Sequence, residues 1–145
     1  MADMKKVYSI DEIKEKLTPL YKEEGLQLVL LFGSAASGRM HKKSDIDLAF
    51  LYDRPVDILE LTNKVIKLLH TDSADVVDLQ TASPLLGVSA AKHGKILYER
   101  SPGLFNSFYS LAFRRYIDTK KIRKGQEDSI KSFLKEKGLV RVLLK

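Results

Sequence analysis

The stretch LVLLFGSAASGRMHKKSDIDLAFLYD, Leu28 to Asp53, decides how this chain is read. Two apolar runs bracket a small polar loop. Gly33-Ser34 stands at the loop's entry and Asp45-Ile46-Asp47 at its exit. On a strand, residues two apart point to the same face, so Asp45 and Asp47 project side by side. Like charges so placed repel, and burying them in an apolar strand adds a desolvation cost. A cation is the natural compensation. The three histidines, His41, His70 and His93, have no metal-ligand spacing, and there is no cysteine. A metal here would therefore be held by carboxylates, which favours a hard ion such as magnesium.

Outward from this stretch the chain has the composition of one globular domain. Its 145 residues are long enough for a core, with 44% hydrophobic and 30% charged residues. No apolar run has membrane-spanning length and no signal-peptide core follows Met1, so a cytoplasmic protein without a membrane association is expected. The net charge of +6 is unevenly spread. Residues 114–145 carry eleven Lys/Arg against four Asp/Glu, a net +7, while residues 1–113 sum to −1. A cationic end suits an acidic protein or nucleic acid, and equally a solvated helix that aids solubility.

Ser9-Ile10-Asp11-Glu12 is a capping box, which predicts a helix that Pro19 breaks and Gly25 ends. Strands are expected over Gln27–Phe32 and Ile46–Tyr52. The loop between them is too short for the usual parallel crossover, so they should be antiparallel neighbours. Val56–His70 reads as an amphipathic helix with Ile58, Leu61, Val65, Ile66, Leu68 and Leu69 inward. A third strand, Ala74–Leu79, follows. Ser83-Pro84 opens a helix that stops at Gly94, and Lys95–Tyr98 is a fourth strand. Ser101-Pro102 reads as the cap and first residue of a last helix. Its residues Phe105, Phe108, Tyr109, Ala112, Phe113 and Tyr116 form one aromatic face, fitted either to pack on the sheet or to bind a protein. The expected fold is α+β, a mixed sheet with flanking helices and a helical tail.

The order of hydrophobic strand, Gly33-Ser34, ten residues, Asp45-x-Asp47 and hydrophobic strand resembles the signature of the nucleotidyltransferases built on the DNA polymerase β-like catalytic fold. The SDIDLAFL form of the second strand is similar to the minimal nucleotidyltransferases. Physical reasons accompany each part. Gly33 allows a sharp turn and close phosphate approach. Ser34 offers a hydroxyl and an N–H to a phosphate oxygen, aided by any helical turn starting there. Asp45 and Asp47 would ligate Mg2+ that bridges to the triphosphate of ATP. Arg39, His41, Lys42 and Lys43 lie between the motif halves, with Arg39 and Lys43 the candidate phosphate contacts. A third carboxylate is implied on the neighbouring strand, where both Asp75 and Asp78 sit among apolar residues. The resemblance matches it to Asp75, as general base and further metal ligand.

The resemblance extends from Leu26 to Arg100, and divides the chain into a catalytic core, residues 1–100, and a helical extension, residues 101–145, that binds a partner. The helix with FRRYIDTKK is similar to the tail of minimal nucleotidyltransferases that act as antitoxins to HEPN-domain toxins. That family implies transfer of AMP from ATP to a tyrosine of a HEPN ribonuclease, which neutralises the toxin. Two other functions stay open on the residues alone. One is modification of a small molecule such as an aminoglycoside. The other is a non-catalytic module that binds protein or nucleic acid through the basic tail, though direct nucleic-acid binding is not favoured.

Overall fold

The computed structural model describes residues 8–33 and 45–136. The elements run α1 (Ile10–Lys16), α2 (Thr18–Tyr21), β1 (Leu26–Phe32), β2 (Ile46–Tyr52), α3 (Ile58–Leu69), β3 (Ala74–Asp78), α4 (Pro84–His93), β4 (Lys95–Glu99) and α5 (Leu104–Glu136). The four strands form one sheet in the order β3-β2-β1-β4. β1 is antiparallel to both β2 and β4, and β2 is parallel to β3. The α+β fold with a mixed sheet expected from the sequence is the one observed.

Strand alternation sorts the apolar residues onto two faces. Leu31, Ile46, Leu48 and Phe50 pack with Ile13, Leu17, Leu61, Val65 and Leu69, so α1 and α3 cover one face. Leu28, Leu30, Ala49 and Leu79 pack with Ala90 of α4, with Phe105 and Phe108 of α5 against them, on the other. A register shift between Leu26 and Leu28 resets the alternation along β1, which explains how Leu26 joins the α1–α3 face although Leu28 lies on the opposite one. A second shift, beside Val29 and Leu30, leaves the extra residue, Leu97, in β4.

Local signals mark most boundaries. In the capping box, Glu12 N–H donates to Ser9 Oγ at 3.1 Å and Ser9 N–H to Glu12 Oε1 at 3.3 Å. Pro19 sits in the first turn of α2, where a missing N–H costs nothing. Three expectations are corrected. α3 starts at Ile58 rather than Val56, because the Asp57 carboxylate accepts from Leu59 and Glu60 N–H. That places Ile58 in the exposed first turn, 39% accessible, and not in the core. α5 starts at Leu104, not at Pro102: Gly103 turns with φ +92°, and Glu99 Oε2 accepts from Phe105 N–H at 2.7 Å. The cap comes from β4, five residues before the helix, a tertiary contact that the Ser101-Pro102 pattern did not reveal.

The aromatic stripe of α5 divides. Phe105 and Phe108 pack onto the sheet. Ala112 is buried against Gly87 of α4, where an added Cβ would lie 3.8 Å from the Ala112 methyl. Phe113 is 50% exposed, and Ile117 and Ile122 are also exposed. At 1.5 Å per residue the helix is about 50 Å long, more than this sheet can cover.

Candidate active site

The site lies where β1 ends and β2 and β3 begin. Phe32 is opposite Asp47 in the β1–β2 ladder, and Asp47 is opposite Asp75 in the β2–β3 ladder. Paired residues share a face, so both carboxylates stand on the α4–α5 side, with Ala49 and Val77 next along their strands. Asp45 immediately precedes β2 and is exposed, Asp47 is half-buried, and Asp75 is exposed.

Gly33 closes this corner. Its φ is +72°, which disfavours any residue with a Cβ. A Cβ at this position would also collide with Asp47 Oδ2. Glycine is required twice, by backbone conformation and by the carboxylate lying against it. The carboxyl of Asp47 is pushed above the ordinary aspartate value, first by partial burial, then by the negative charges of Asp75 and Asp45. A hydrogen bond between the Asp47 and Asp75 carboxyls, which needs a proton on one of them, adds to the shift. None of the ion pairs among the described residues involves these three aspartates.

Asp78, the other aspartate of β3, is opposite Phe50, three positions further along the ladder. Its Oδ1 accepts from Gln80 N–H at 3.0 Å, which serves the turn after the strand. The candidate phosphate contacts Ser34, Arg39 and Lys43 lie outside the described residues, as do His41 and Lys42. The structure adds two basic groups that the motif does not contain. α4 ends in Lys92 and His93, both exposed, and Gly94 then passes so close to β1 that a Cβ would sit 3.3 Å from Leu31 O. The basic last turn of α4 therefore arrives at the Gly33 end of the sheet, on the carboxylate face. Only the helix's direction across the sheet reveals this.

The donor set suits a hard divalent ion. It consists of carboxylate oxygens from adjacent strands, and their repulsion is what such an ion would relieve. Among the described residues no three ligating side chains are gathered at metal-binding distance. Magnesium commonly takes one or two carboxylates and completes its shell with water and substrate phosphates.

Comparison with known proteins agrees with this fold. The family described as polymerase beta, nucleotidyltransferase, matches residues 15–103, and the chain belongs to that family. Protein adenylyltransferase MntA of Aphanizomenon flos-aquae is 31% identical over 147 residues, covering 92% of this chain and 98% of that protein. Protein adenylyltransferase MntA of Shewanella oneidensis is 41% identical over 76 residues, 50% of this chain and 54% of that one. Among solved structures, a toxin–antitoxin crystal structure with AMP-PNP superposes with a TM-score of 0.72 at 28% identity, covering 85% of this chain and 98% of the other. A complex of tri-AMPylated Shewanella oneidensis HEPN toxin with MNT antitoxin gives a TM-score of 0.68 at 26% identity, covering 83% and 98%.

Proposed function

We propose that this chain is an antitoxin that transfers AMP from ATP to a tyrosine hydroxyl of a HEPN toxin. The observation that carries the reading is the corner where Gly33 lies against the Asp47 carboxylate and Asp75 stands opposite in register. The match to the Aphanizomenon flos-aquae protein adenylyltransferase along nearly the whole chain supports a protein as the acceptor. The complexes with an ATP analogue and with an AMPylated HEPN toxin support donor and partner.

In this reading Asp45 and Asp47 would hold Mg2+, which would supply positive charge to offset that of the triphosphate. Gly33 gives the phosphates room to approach the backbone, and Ser34, Arg39 and Lys43 hold their oxygens. Asp75 orients the tyrosine hydroxyl and takes its proton. The new bond joins tyrosine oxygen to the α-phosphorus, the bond to the bridging oxygen breaks, and pyrophosphate leaves. Catalysis of this type rests on positioning and charge stabilisation. Attached AMP adds bulk and negative charge to the toxin, and both oppose RNA binding. Residues 1–100 supply the chemistry, and residues 101–145 bind the partner through the exposed side of α5 around Phe113, Ile117 and Ile122. The reaction draws on the cytoplasmic ATP pool. Among the described residues no helix is long and apolar enough to cross a membrane.

The test is intact-mass measurement of a HEPN protein co-expressed with the chain. Adenylate mass on a tyrosine is expected with the wild type and absent with Asp45→Ala/Asp47→Ala. An unmodified partner that is nevertheless inhibited would overturn the catalytic reading.

A further inference from the structure

Among the described residues β3 is an edge strand, with β2 on one side and no strand on the other. Ile46 N–H donates to Ser73 O, and Leu79 N–H donates to Phe50 O. In a parallel ladder these two bonds fix which residues face β2: Ser73, Asp75, Val77 and Leu79. The N–H and C=O of Ala74 and Val76 therefore point away from the sheet. Among the described residues neither has a hydrogen-bond partner outside the ladder. An open row of this kind is a template for an added strand.

The row has two further properties. It includes the flanks of Asp75, whose exposed carboxylate opposes Asp47, so a strand added here would pass beside the reacting atoms. It is also acidic. From Thr71 to Ala91 the chain has no lysine or arginine and three aspartates, Asp72, Asp75 and Asp78. Resting on the function proposed above, we infer that the acceptor tyrosine is presented on an extended, positively charged segment that pairs with the free edge of β3. Backbone pairing fixes the segment's height along the strand, and alternation turns one side chain in two toward the carboxylate face. The tyrosine occupies such a position, within reach of Asp75. The acidic edge attracts a basic segment and repels an acidic one.

The experiment measures transfer of labelled AMP from ATP to synthetic peptides with one central tyrosine, flanked either by lysines or by glutamates. Val76→Pro is compared with Val76→Ala. Both lose the valine side chain, but only proline loses the outward N–H, and an edge position tolerates it. Val76→Pro is expected to lower kcat/KM for the lysine peptide roughly five- to tenfold relative to Val76→Ala, the effect of one hydrogen bond. Binding of AMP-PNP stays equal in the two. N-methylation of the lysine peptide at alternate residues leaves the protein untouched. Methyls in one phase are expected to abolish labelling, and methyls in the other to spare it. Equal transfer by the two variants with insensitivity to methyl phase overturns the inference, as does equal labelling of both peptides. A second copy of this chain is the competing occupant of an open edge. Sedimentation showing a dimer that Val76→Pro dissociates would assign the edge to self-association instead. Wild-type protein that adenylylates no tyrosine, including one on a co-expressed HEPN partner, brings down the parent reading as well.

Discussion

The two ends of the sheet handle carboxylates in opposite ways. At the end where β1 starts and β2 finishes, Glu23 and Asp53 both have partners. Glu23 Oε1 accepts from the Tyr52 hydroxyl at 2.7 Å and Oε2 from Lys64 at 2.8 Å, while Arg100 donates to its carbonyl at 2.8 Å. Asp53 pairs with Arg54 at 2.8 Å. At the other end, Asp45 and Asp75 add their negative charge to that of Asp47. Partial burial works against the charge of both Glu23 and Asp47. The Lys64 ammonium and Tyr52 hydroxyl overcome it, so Glu23 lies below the ordinary glutamate value. Neighbouring aspartates reinforce it at Asp47, which lies above the ordinary aspartate value. One end uses its charges to hold elements together. The other keeps charge that a substrate and its ion would satisfy.

The sharpest way to break this contrast is to neutralise the crowded end. Asp45→Asn with Asp47→Asn is expected to lower AMP transfer roughly a thousandfold, the scale of losing several kcal/mol of ion-borne stabilisation. Without divalent ions the same variant should unfold at a higher temperature than the wild type, by about 0.5–1 kcal/mol of relieved repulsion. Calorimetry beside a transfer assay reads both. A variant that is inactive and also less stable would count against the site as described.

Gly33→Ala carries the next effect. The positive φ alone costs about 1–2 kcal/mol, and the Cβ must displace the Asp47 carboxylate. Chemical denaturation should show that loss, with transfer down by at least about tenfold, since small misplacements of reacting groups are expensive. At the paired end, Tyr52→Phe removes the donor to Glu23. It should cost about 1 kcal/mol of stability and leave kcat unchanged.

The smallest effects, in pH, have opposite signs. Asp47 has a raised value in the fold, so its protonation favours the fold. Its stabilising contribution is complete below the unfolded aspartate value and is lost as pH rises through the folded one. Glu23 has a lowered value. Its contribution is present above the unfolded glutamate value and is lost as pH falls through the folded one. Melting temperature followed across the carboxylate range should therefore fall less steeply on acidification in Glu23→Gln. It should fall more steeply in Asp47→Asn. Added Mg2+ should raise it in the wild type near neutrality and cease to do so once the aspartates are protonated.

Sequence alone carried the strands, their antiparallel start, the helix that Ser83-Pro84 opens, the existence of the last helix and the Gly33-to-Asp47 motif. These are local facts. Period-2 alternation, a capping box and a glycine before a spaced pair of aspartates are written within a few residues of where they act. Tertiary structure alone decided what depends on how the strands are laid side by side. Register puts Asp75 opposite Asp47 and leaves Asp78 to a turn. The direction of α4 brings Lys92 and His93 toward Gly33, and Glu99 reaches across to cap α5. Glu23, unremarkable in the sequence, joins Tyr52 and Lys64 only because a loop, a strand and a helix meet. Propensity acts over one turn or one strand, whereas charge and hydrogen bonding act between whichever groups the packed sheet brings within a few ångströms.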